Sequence, residues 1–326
     1  MAFRPLSLPL PDPYLLALAA TAGLASLLPA RGPAAGTLDL AVQASIAALF
    51  FLYGVRLAPQ AVRAGLVHWR LQALILAITF VLFPLVSLAL ATTFRSWLPH
   101  DLALGLMFIG MLPSTVQASI AFTALARGNV PAALCSATLS NLAGMVVTPA
   151  LVALLVSARG PGIGFAGLRD IALQLLLPFL AGQLARPWCG GLVSRHMSAV
   201  TAVDRGAILL IVYSAFSHGM TAGIWQTVDL ASLGRIAALA TLMLASVLVA
   251  STCISRGLGF SRQDEIAIVF CGSKKSMASG ISLANILFVG QPVSLIVLPL
   301  MLFHQAQLFA CATLARRYAA RADAGP

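Results

Sequence analysis

The chain has 326 residues, of which 60% are hydrophobic and 9% are charged, and its formal net charge at pH 7 is +11. A soluble domain usually contains about 25% charged residues, so this composition excludes the soluble classes and predicts an integral membrane protein in a lipid bilayer. The basic excess does not indicate a nucleic-acid partner, because the arginines separate apolar segments and form no run interleaved with aromatic residues.

Ten apolar stretches are each long enough to cross a hydrocarbon core of about 30 Å, which takes about 20 helical residues. These predicted spans begin near Tyr14, Leu38, Leu71, Leu102, Val130, Asp170, Asp204, Leu233, Asp264 and Pro292. Small residues at positions 29–36 imitate the cleavage site of a signal peptide, but the apolar segments after them favour a polytopic array. All predicted connections are short, so no soluble domain is expected.

The arginines predict the orientation, because basic residues near span ends favour the cytoplasmic side. With the amino terminus inside, 13 arginines fall on the cytoplasmic side and 5 on the opposite side. Both termini are therefore expected in the cytoplasm, which agrees with an even number of spans.

The two halves of the chain contain matching interruptions. The fourth span carries GMLPSTVQASIAFTALARGNVP and the ninth carries FCGSKKSMASGISLANILFVGQP, and Pro131 and Pro292 at their ends are 161 residues apart. Five spans per half place the second half upside down relative to the first. We therefore predict an all-α membrane protein of ten transmembrane helices, built as two inverted five-helix repeats over residues 1–160 and 161–326, with broken fourth and ninth helices.

Broken helices in corresponding positions of inverted repeats indicate a substrate site near the bilayer midplane, because a freed backbone needs protein groups, ions or water to satisfy it. Each break is rich in small and polar residues: Ser114, Thr115, Gln117 and Ser119 follow Pro113 in the fourth span, and Gly272, Ser273, Ser276 and Ser279 lie in the ninth. A simpler interpretation is that Pro113 only kinks a helix and the serines bond back to carbonyls within it. The pairing of the two breaks favours the substrate site.

Lys274 and Lys275 are the only lysines in the chain, and they lie in the middle of the ninth span. An intramembrane charge costs about 3 kcal/mol on insertion scales and usually marks a functional cavity. None of the nine acidic residues lies in the middle of a span near them. Three interpretations stay open: the lysines snorkel to an interface, they bind an anion with the help of half-helix amino termini, or one ammonium group replaces a bound cation.

The stretches PSTVQASIAFTALARGNVPAALCSATLSN and FCGSKKSMASGI, in a ten-span frame, resemble the bile acid:sodium symporter superfamily. The resemblance is to its SBF-like bacterial branch, which also includes relatives of the seventh human member of the bile-acid solute carrier family. It implies a panel domain and a core domain interleaved across both repeats, with the two broken helices crossing in the core. It further implies alternating access, symport of an organic anion with sodium, and a place in the bacterial inner membrane.

Only some of the family's sodium ligands have a matching residue in this sequence. Aligning the family's TYLARGN with TALARGN places its serine–asparagine pair on Ser119 and Ile120, and its further hydroxyl ligands on Ala133 and Ala137. A rearranged oxygen shell is one way to restore ion coupling. The predicted ion-coupling residues are Ser119, Gln117, Ser140, Asn141, Lys274 and Lys275. The predicted substrate-binding residues are Lys274, Lys275, Ser273, Ser276, Ser114, Thr115 and Gln117.

These observations predict a secondary active transporter that moves a small organic anion, coupled to sodium as the family implies, or to protons, or with a lysine in place of the ion. The alternative is a membrane-embedded regulator or channel without transport of its own. An enzyme is not expected, because the chain has no HExxH motif, no paired intramembrane aspartates and no serine nucleophile motif with a suitable base. Na⁺ is the single cofactor candidate, and the five widely spaced cysteines predict no firm metal site.

Other polar residues within the spans are weaker candidates. His218 and His304 are interpreted as packed, hydrogen-bonding groups, although either could carry a proton. Asn285 is interpreted as a helix-to-helix hydrogen bond, and Gln43 and Gln72 as weak site candidates.

Overall fold

The computed structural model describes residues 13–56, 68–156, 165–221, 223 and 229–323. Its regular elements are helices, and no strand occurs in these ranges, which confirms the predicted all-α class. The helices are α1 (Pro13–Leu27), α2 (Pro33–Arg56), α3 (Trp69–Thr93), α4 (His100–Met111), α5 (Val116–Leu125), α6 (Val130–Leu155), α7 (Phe165–Arg195), α8 (Met197–Thr221), α9 (Leu230–Gly257), α10 (Arg262–Gly272), α11 (Met277–Leu287) and α12 (Val293–Asp323).

Six helices in the described part of the chain are long and apolar enough to cross a membrane, namely α2, α3, α6, α8, α9 and α12. Helices α4 and α5 together meet the same criterion as one span that is bent by 62°. The apolar part of α1, Leu16–Leu27, is shorter. Every predicted span begins in or beside a helix, but length and composition support six or seven spans. The ten-span inverted repeat therefore stays a prediction, and its boundary at residues 160 and 161 lies outside the described residues.

The helices pack in two groups. Helices α1, α2, α7 and α8 contact mainly one another, whereas α3 to α6 and α9 to α12 form a second group, which contains the interrupted pairs α4–α5 and α10–α11. In the first group Gly54 of α2 and Gly182 of α7 allow a close backbone approach, because a Cβ on Gly54 would overlap the carbonyl oxygen of Phe179, and one on Gly182 that of Phe51. Small residues at such contacts are typical of membrane helices. The groups meet chiefly where α8 packs on α11 and α12.

Helix α3 contains an irregular turn that reaches the second broken span. Residues Ile78–Leu82 form a π-helical turn within an otherwise α-helical span. Gly272, at the end of α10, packs so closely on this turn that a Cβ there would lie 2.9 Å from the Ile78 side chain. A π-helical turn changes the register of the backbone hydrogen bonds and is often found at functional sites.

A charged cluster fixes the start of α10. Arg256 of α9 donates to both carboxylate oxygens of Glu265, over 3.0 and 2.9 Å, and the Tyr318 hydroxyl of α12 donates to the same carboxylate over 2.7 Å. Asn129, in the turn before α6, donates to Asp264 over 2.8 Å. Both carboxylates of α10 are therefore engaged at the start of the helix, where they anchor α9, α12 and the α5–α6 turn.

Candidate functional site

The two broken spans meet at their breaks. The predicted fourth span is interrupted between α4 and α5, which together qualify as one bent span, and the predicted ninth span is interrupted between α10 and α11. The backbone N–H of Ser276 donates to the carbonyl of Pro113 over 2.9 Å, and the Ser114 hydroxyl donates to the carbonyl of Cys271 over 2.6 Å. Each break thus satisfies polar groups of the other, as an interrupted helix within a membrane requires.

Side chains of α6 satisfy most of the fourth-span break. The backbone N–H of Ser114 donates to the Ser140 hydroxyl over 2.9 Å, and the Asn141 amide donates to the Ser114 carbonyl over 2.8 Å. The Ser119 hydroxyl donates across the interface to the carbonyl of Phe270 over 3.2 Å. Three of the predicted ion-coupling residues, Ser119, Ser140 and Asn141, therefore lie around Ser114 and bond to protein groups.

The other predicted residues of the fourth span lie nearer to its surface. Thr115 is partly buried, and its hydroxyl lies 3.3 Å from that of Ser119. Gln117 is exposed on α5 among the residues that the structure describes. Helix α5 has no side chain that caps its first turn, so its leading N–H groups form an uncapped positive end.

The serines of the ninth span form hydrogen bonds at the ends of its two half-helices, α10 and α11. The Ser273 hydroxyl donates to the carbonyl of Val269 over 2.5 Å at the end of α10. The Ser276 hydroxyl accepts a hydrogen bond from the N–H of Ser279 over 3.2 Å, so it caps the first turn of α11. Ser279 in turn donates to the amide oxygen of Asn141 over 3.2 Å, which links α11 to α6.

Lys275 is fully buried, and its ammonium group lies in a cage of backbone carbonyls. Nζ donates to Leu112 O over 2.7 Å, to Gly110 O over 2.8 Å and to Thr79 O over 2.8 Å. An ammonium group has three N–H donors, so all of them are used. The centroid of the Phe83 ring lies 4.2 Å from Nζ, which adds a cation–π contact.

The carbonyls of this cage are available because the local sequence interrupts two helices. Pro113 provides no N–H and disfavours helical backbone before it, and Leu112 is accordingly extended, with φ −78° and ψ 153°. Gly110 and Leu112 therefore present carbonyls at the negative carboxyl end of α4. Thr79 presents its carbonyl from the π-helical turn of α3.

Gln307 of α12 forms two hydrogen bonds with the backbone of Lys275. Its amide oxygen accepts the N–H of Lys275 over 3.0 Å, and its amide nitrogen donates to the Lys275 carbonyl over 3.1 Å. Gln307 is fully buried and also lies 2.8 Å from Nδ1 of His304. Gln307 is not among the site residues predicted from the sequence, although a glutamine in the apolar run LFHQAQLF is a signal for a buried backbone partner.

Lys274 is also fully buried but has a different environment. Its ammonium group donates to the Ala118 carbonyl over 2.7 Å and lies 3.6 Å from the ring centroid of Phe122 and 5.5 Å from that of Phe270. One carbonyl and two aromatic rings thus receive its charge. Since neither lysine reaches an interface, the burial disfavours the snorkelling interpretation.

Two cavities lie elsewhere among the described residues, and neither lysine lines them. One, of about 470 Å³, lies between the ends of α2 and α7 and contains Arg56 and Arg186. The other, of about 950 Å³, lies between α2 and α8 on one side and α11 and the start of α12 on the other. Within the described ranges, no group of three or more His, Cys, Asp or Glu side chains is placed to hold a metal ion.

Comparisons with known proteins agree with this architecture. The model of the SBF-like CPA transporter family matches residues 12–320. An uncharacterized protein of Pseudomonas aeruginosa is 50% identical over 96% of this chain and 95% of its own length. YfeH of Escherichia coli, named as a candidate symporter, is 45% identical over 94% of this chain and 92% of its own length. The sodium/bile acid cotransporter 7 of Rattus norvegicus is 27% identical over 90% of this chain and 88% of its own length.

Proposed function

Because the chain belongs to the SBF-like CPA transporter family, and is thus a membrane transporter, we propose that it moves a small organic anion by alternating access. We further propose that the ammonium group of Lys275 takes the place of a coupling cation. The observation that supports this proposal best is the cage of three carbonyls around Lys275. The names of YfeH and of the rat cotransporter support the transport of a solute with an ion.

The cage has the chemistry of an alkali-ion site. In transporters with broken helices, unwound carbonyls and the carboxyl ends of half-helices coordinate the coupling cation. Gly110 and Leu112 lie at such an end, and Lys275 brings a single positive charge to them on a covalent tether. A sodium ion about 4 Å from this ammonium group would meet a repulsion of about 4 kcal/mol at an effective dielectric constant of about 20. Wild-type protein is therefore expected to bind no sodium at this position.

The uncapped amino terminus of α5 supports an anionic substrate. Its free N–H groups and positive dipole end lie beside Thr115 and Gln117, the least buried of the predicted substrate-binding residues. Lys274 bonds to Ala118 on the same half-helix, so its charge lies at the same end of the helix. Both features favour a negatively charged group near the break.

Thermal unfolding of the purified full chain in sodium chloride and in potassium chloride tests the role of Lys275. Wild-type protein is expected to unfold at the same temperature in both salts. Lys275→Ala is expected to be less stable but to gain stability specifically from sodium, by about 1.4 kcal/mol when sodium is at ten times its dissociation constant. Lys274→Ala is the matched control and should gain no sodium response.

Two results would contradict the proposal. A sodium-specific gain in wild-type protein would mean that a sodium site coexists with Lys275. A folded Lys275→Ala without a sodium response would mean that the cage holds the lysine alone, and Lys275→Gln provides the same test if the alanine variant does not fold. Saturable, gradient-driven uptake of an organic anion into proteoliposomes separates a transporter from a membrane-embedded regulator or channel.

A further inference from the structure

The cavity of about 950 Å³ is the second place where polar groups converge. It lies between the two helix groups, with α2 and α8 on one wall and α11 and the start of α12 on the other. Its volume is in the range of small-molecule sites, and Ile46, Ala215 and Ile286 give it apolar surface. It is named the Asp39 cavity below, after the carboxylate on its α2 wall.

The charges that line the Asp39 cavity are mostly negative. Its lining includes the carboxylates of Asp39 and Asp101 and the imidazole of His218, and none of its described lining residues is lysine or arginine. Asp101 lies 3.3 Å from His100, at the start of α4. A cavity lined by one sign of charge raises the local concentration of ligands of the opposite sign. The Asp39 cavity thus favours a positively charged group over a free anion.

Asp39 is arranged to receive such a group. Its Oδ1 lies 2.8 Å from Nε2 of His218 and accepts a hydrogen bond from the Ser214 hydroxyl over 3.3 Å. Its Oδ2 accepts no hydrogen bond from the residues that the structure describes, and 46% of the side chain is exposed. The residue lies about 9 Å along α2 from its first residue, within an apolar helix, and an ionisable residue there indicates a functional site.

A separate observation points to a ligand in the same cavity. Ser294, in the first turn of α12, lines the cavity, and its buried hydroxyl has no hydrogen-bond partner among the described residues. Buried polar groups in proteins nearly always have partners, so an unpaired one at a cavity wall indicates a missing ligand or water. Asn285 donates to the carbonyl of Ile281 over 2.9 Å, which leaves its amide oxygen for the cavity. Gln43 lies one helical turn after Asp39 on the α2 wall.

We propose that the Asp39 cavity binds a small solute with a protonated amine on an apolar body. The ammonium group lies on Oδ2 of Asp39, the amide oxygens of Gln43 and Asn285 accept its remaining hydrogens, and the apolar body lies against Ile46 and Ile286. This binding goes beyond the proposed function, because it rests on the cavity alone and not on the features near the broken helices that support an anionic substrate.

Binding of two probes that share a phenethyl body but carry opposite charges tests this inference on the purified full chain. Phenethylamine presents an ammonium group on an aromatic body, and 3-phenylpropanoate presents a carboxylate on the same body. Calorimetry or a thermal-shift titration at neutral pH is expected to show saturable binding of phenethylamine. Binding of 3-phenylpropanoate is expected to be about tenfold weaker or less, because it meets two carboxylates in the cavity.

Variants assign the binding to Asp39. Asp39→Asn is expected to weaken phenethylamine binding about tenfold or more, because it removes the paired charge. Asp229→Asn is the matched control and should change nothing, since Asp229 caps α9 outside the cavity and asparagine caps a helix equally well. Gln43→Leu is expected to weaken phenethylamine binding severalfold, because it removes an amide oxygen from the cavity wall, and it tests the site if Asp39→Asn does not fold.

The inference is overturned if wild-type protein does not bind phenethylamine at millimolar concentration, if Asp39→Asn binds it as tightly as wild type, or if a folded Gln43→Leu binds it as tightly as wild type. Tighter binding of 3-phenylpropanoate than of phenethylamine also overturns it, but leaves the proposed anion transport in place. The sodium response of Lys275→Ala tests the proposed function without any of these probes. Failure of one proposal is therefore distinguishable from failure of the other.

Discussion

Lys274 and Lys275 follow one another in the chain and are both fully buried, yet their ammonium groups have different partners. Lys275 has three carbonyls, two at the end of α4 and one in the π-helical turn of α3. Lys274 has one carbonyl and the faces of two aromatic rings. In the non-helical break between α10 and α11 the two side chains reach different neighbours, so Lys275 bonds to α3 and α4 and Lys274 bonds to α5.

The different partners of the two ammonium groups indicate different roles for the two lysines. An ammonium group with all three donors on carbonyls acts as a fixed cation, because moving it leaves three acceptors unpaired in a low-dielectric interior. An ammonium group with one carbonyl and two aromatic faces leaves only one hydrogen-bond acceptor unpaired when it moves, so the free-energy cost of moving it is smaller. We therefore expect Lys275 to be the permanent part of the break and Lys274 to be the part that responds to a bound substrate.

Lys275→Met gives the largest expected effect. Methionine keeps the length and flexibility of the side chain but leaves the carbonyls of Thr79, Gly110 and Leu112 without their donor. An unpaired buried acceptor costs about 1–3 kcal/mol, so the loss of stability is expected to be about 3 kcal/mol or more. Thermal unfolding in detergent, followed by intrinsic fluorescence, measures it. An unfolding midpoint at the wild-type temperature would mean that the cage does not stabilise the protein.

Gln307→Leu gives the next largest effect. It tests the difference between the two lysines, because Gln307 bonds to the backbone of Lys275 and not to that of Lys274. Leucine removes both hydrogen bonds to Lys275 as well as the contact with His304, and it leaves a buried N–H and a buried carbonyl on Lys275, at a cost of about 2 kcal/mol or more. Gln305→Leu is the matched control, two residues away on α12 and only partly buried. Equal destabilisation by the two substitutions would remove the special role of Gln307.

The sequence predicts where the chain breaks but not what the lysines touch. Pro113 ends a helix through its missing N–H, and the run from Gly272 to Ser276 is small and polar in an apolar span, so both interruptions are visible in the letters. The partners of Lys275 are backbone carbonyls, which every residue has. Their availability depends on a π-helical turn at Thr79 and on the approach of α3 to α10, and neither has a signature in one sequence.

The Asp39 cavity was also beyond sequence reasoning. The sequence predicts a packed histidine at position 218, and its partner Asp39 lies 179 positions earlier in the chain. Asp39 is next to Leu38, where the second span is predicted to begin, whereas α2 begins at Pro33, because apolar length predicts the start of a helix only to within a few residues. Long-range pairs of this kind depend on how α2 packs on α8. Hydrophobic periodicity predicts that these helices exist but not which of their faces meet.

Lys274→Met gives the smallest expected effect of the three substitutions. It removes one hydrogen bond, to Ala118, and the contact with the Phe122 ring 3.6 Å away, so we expect a loss of about 1–2 kcal/mol. A double-mutant cycle with Phe122→Leu isolates the ring contact, and a desolvated cation–π pair predicts a coupling energy of about 1–2 kcal/mol. The same cycle with Lys275→Met and Phe122→Leu should give additive effects, since the Phe83 ring, and not Phe122, faces Lys275. Coupling of Phe122 to Lys275 in place of Lys274 would contradict the assignment of the two ammonium groups to different neighbours, and with it the division of roles between the lysines.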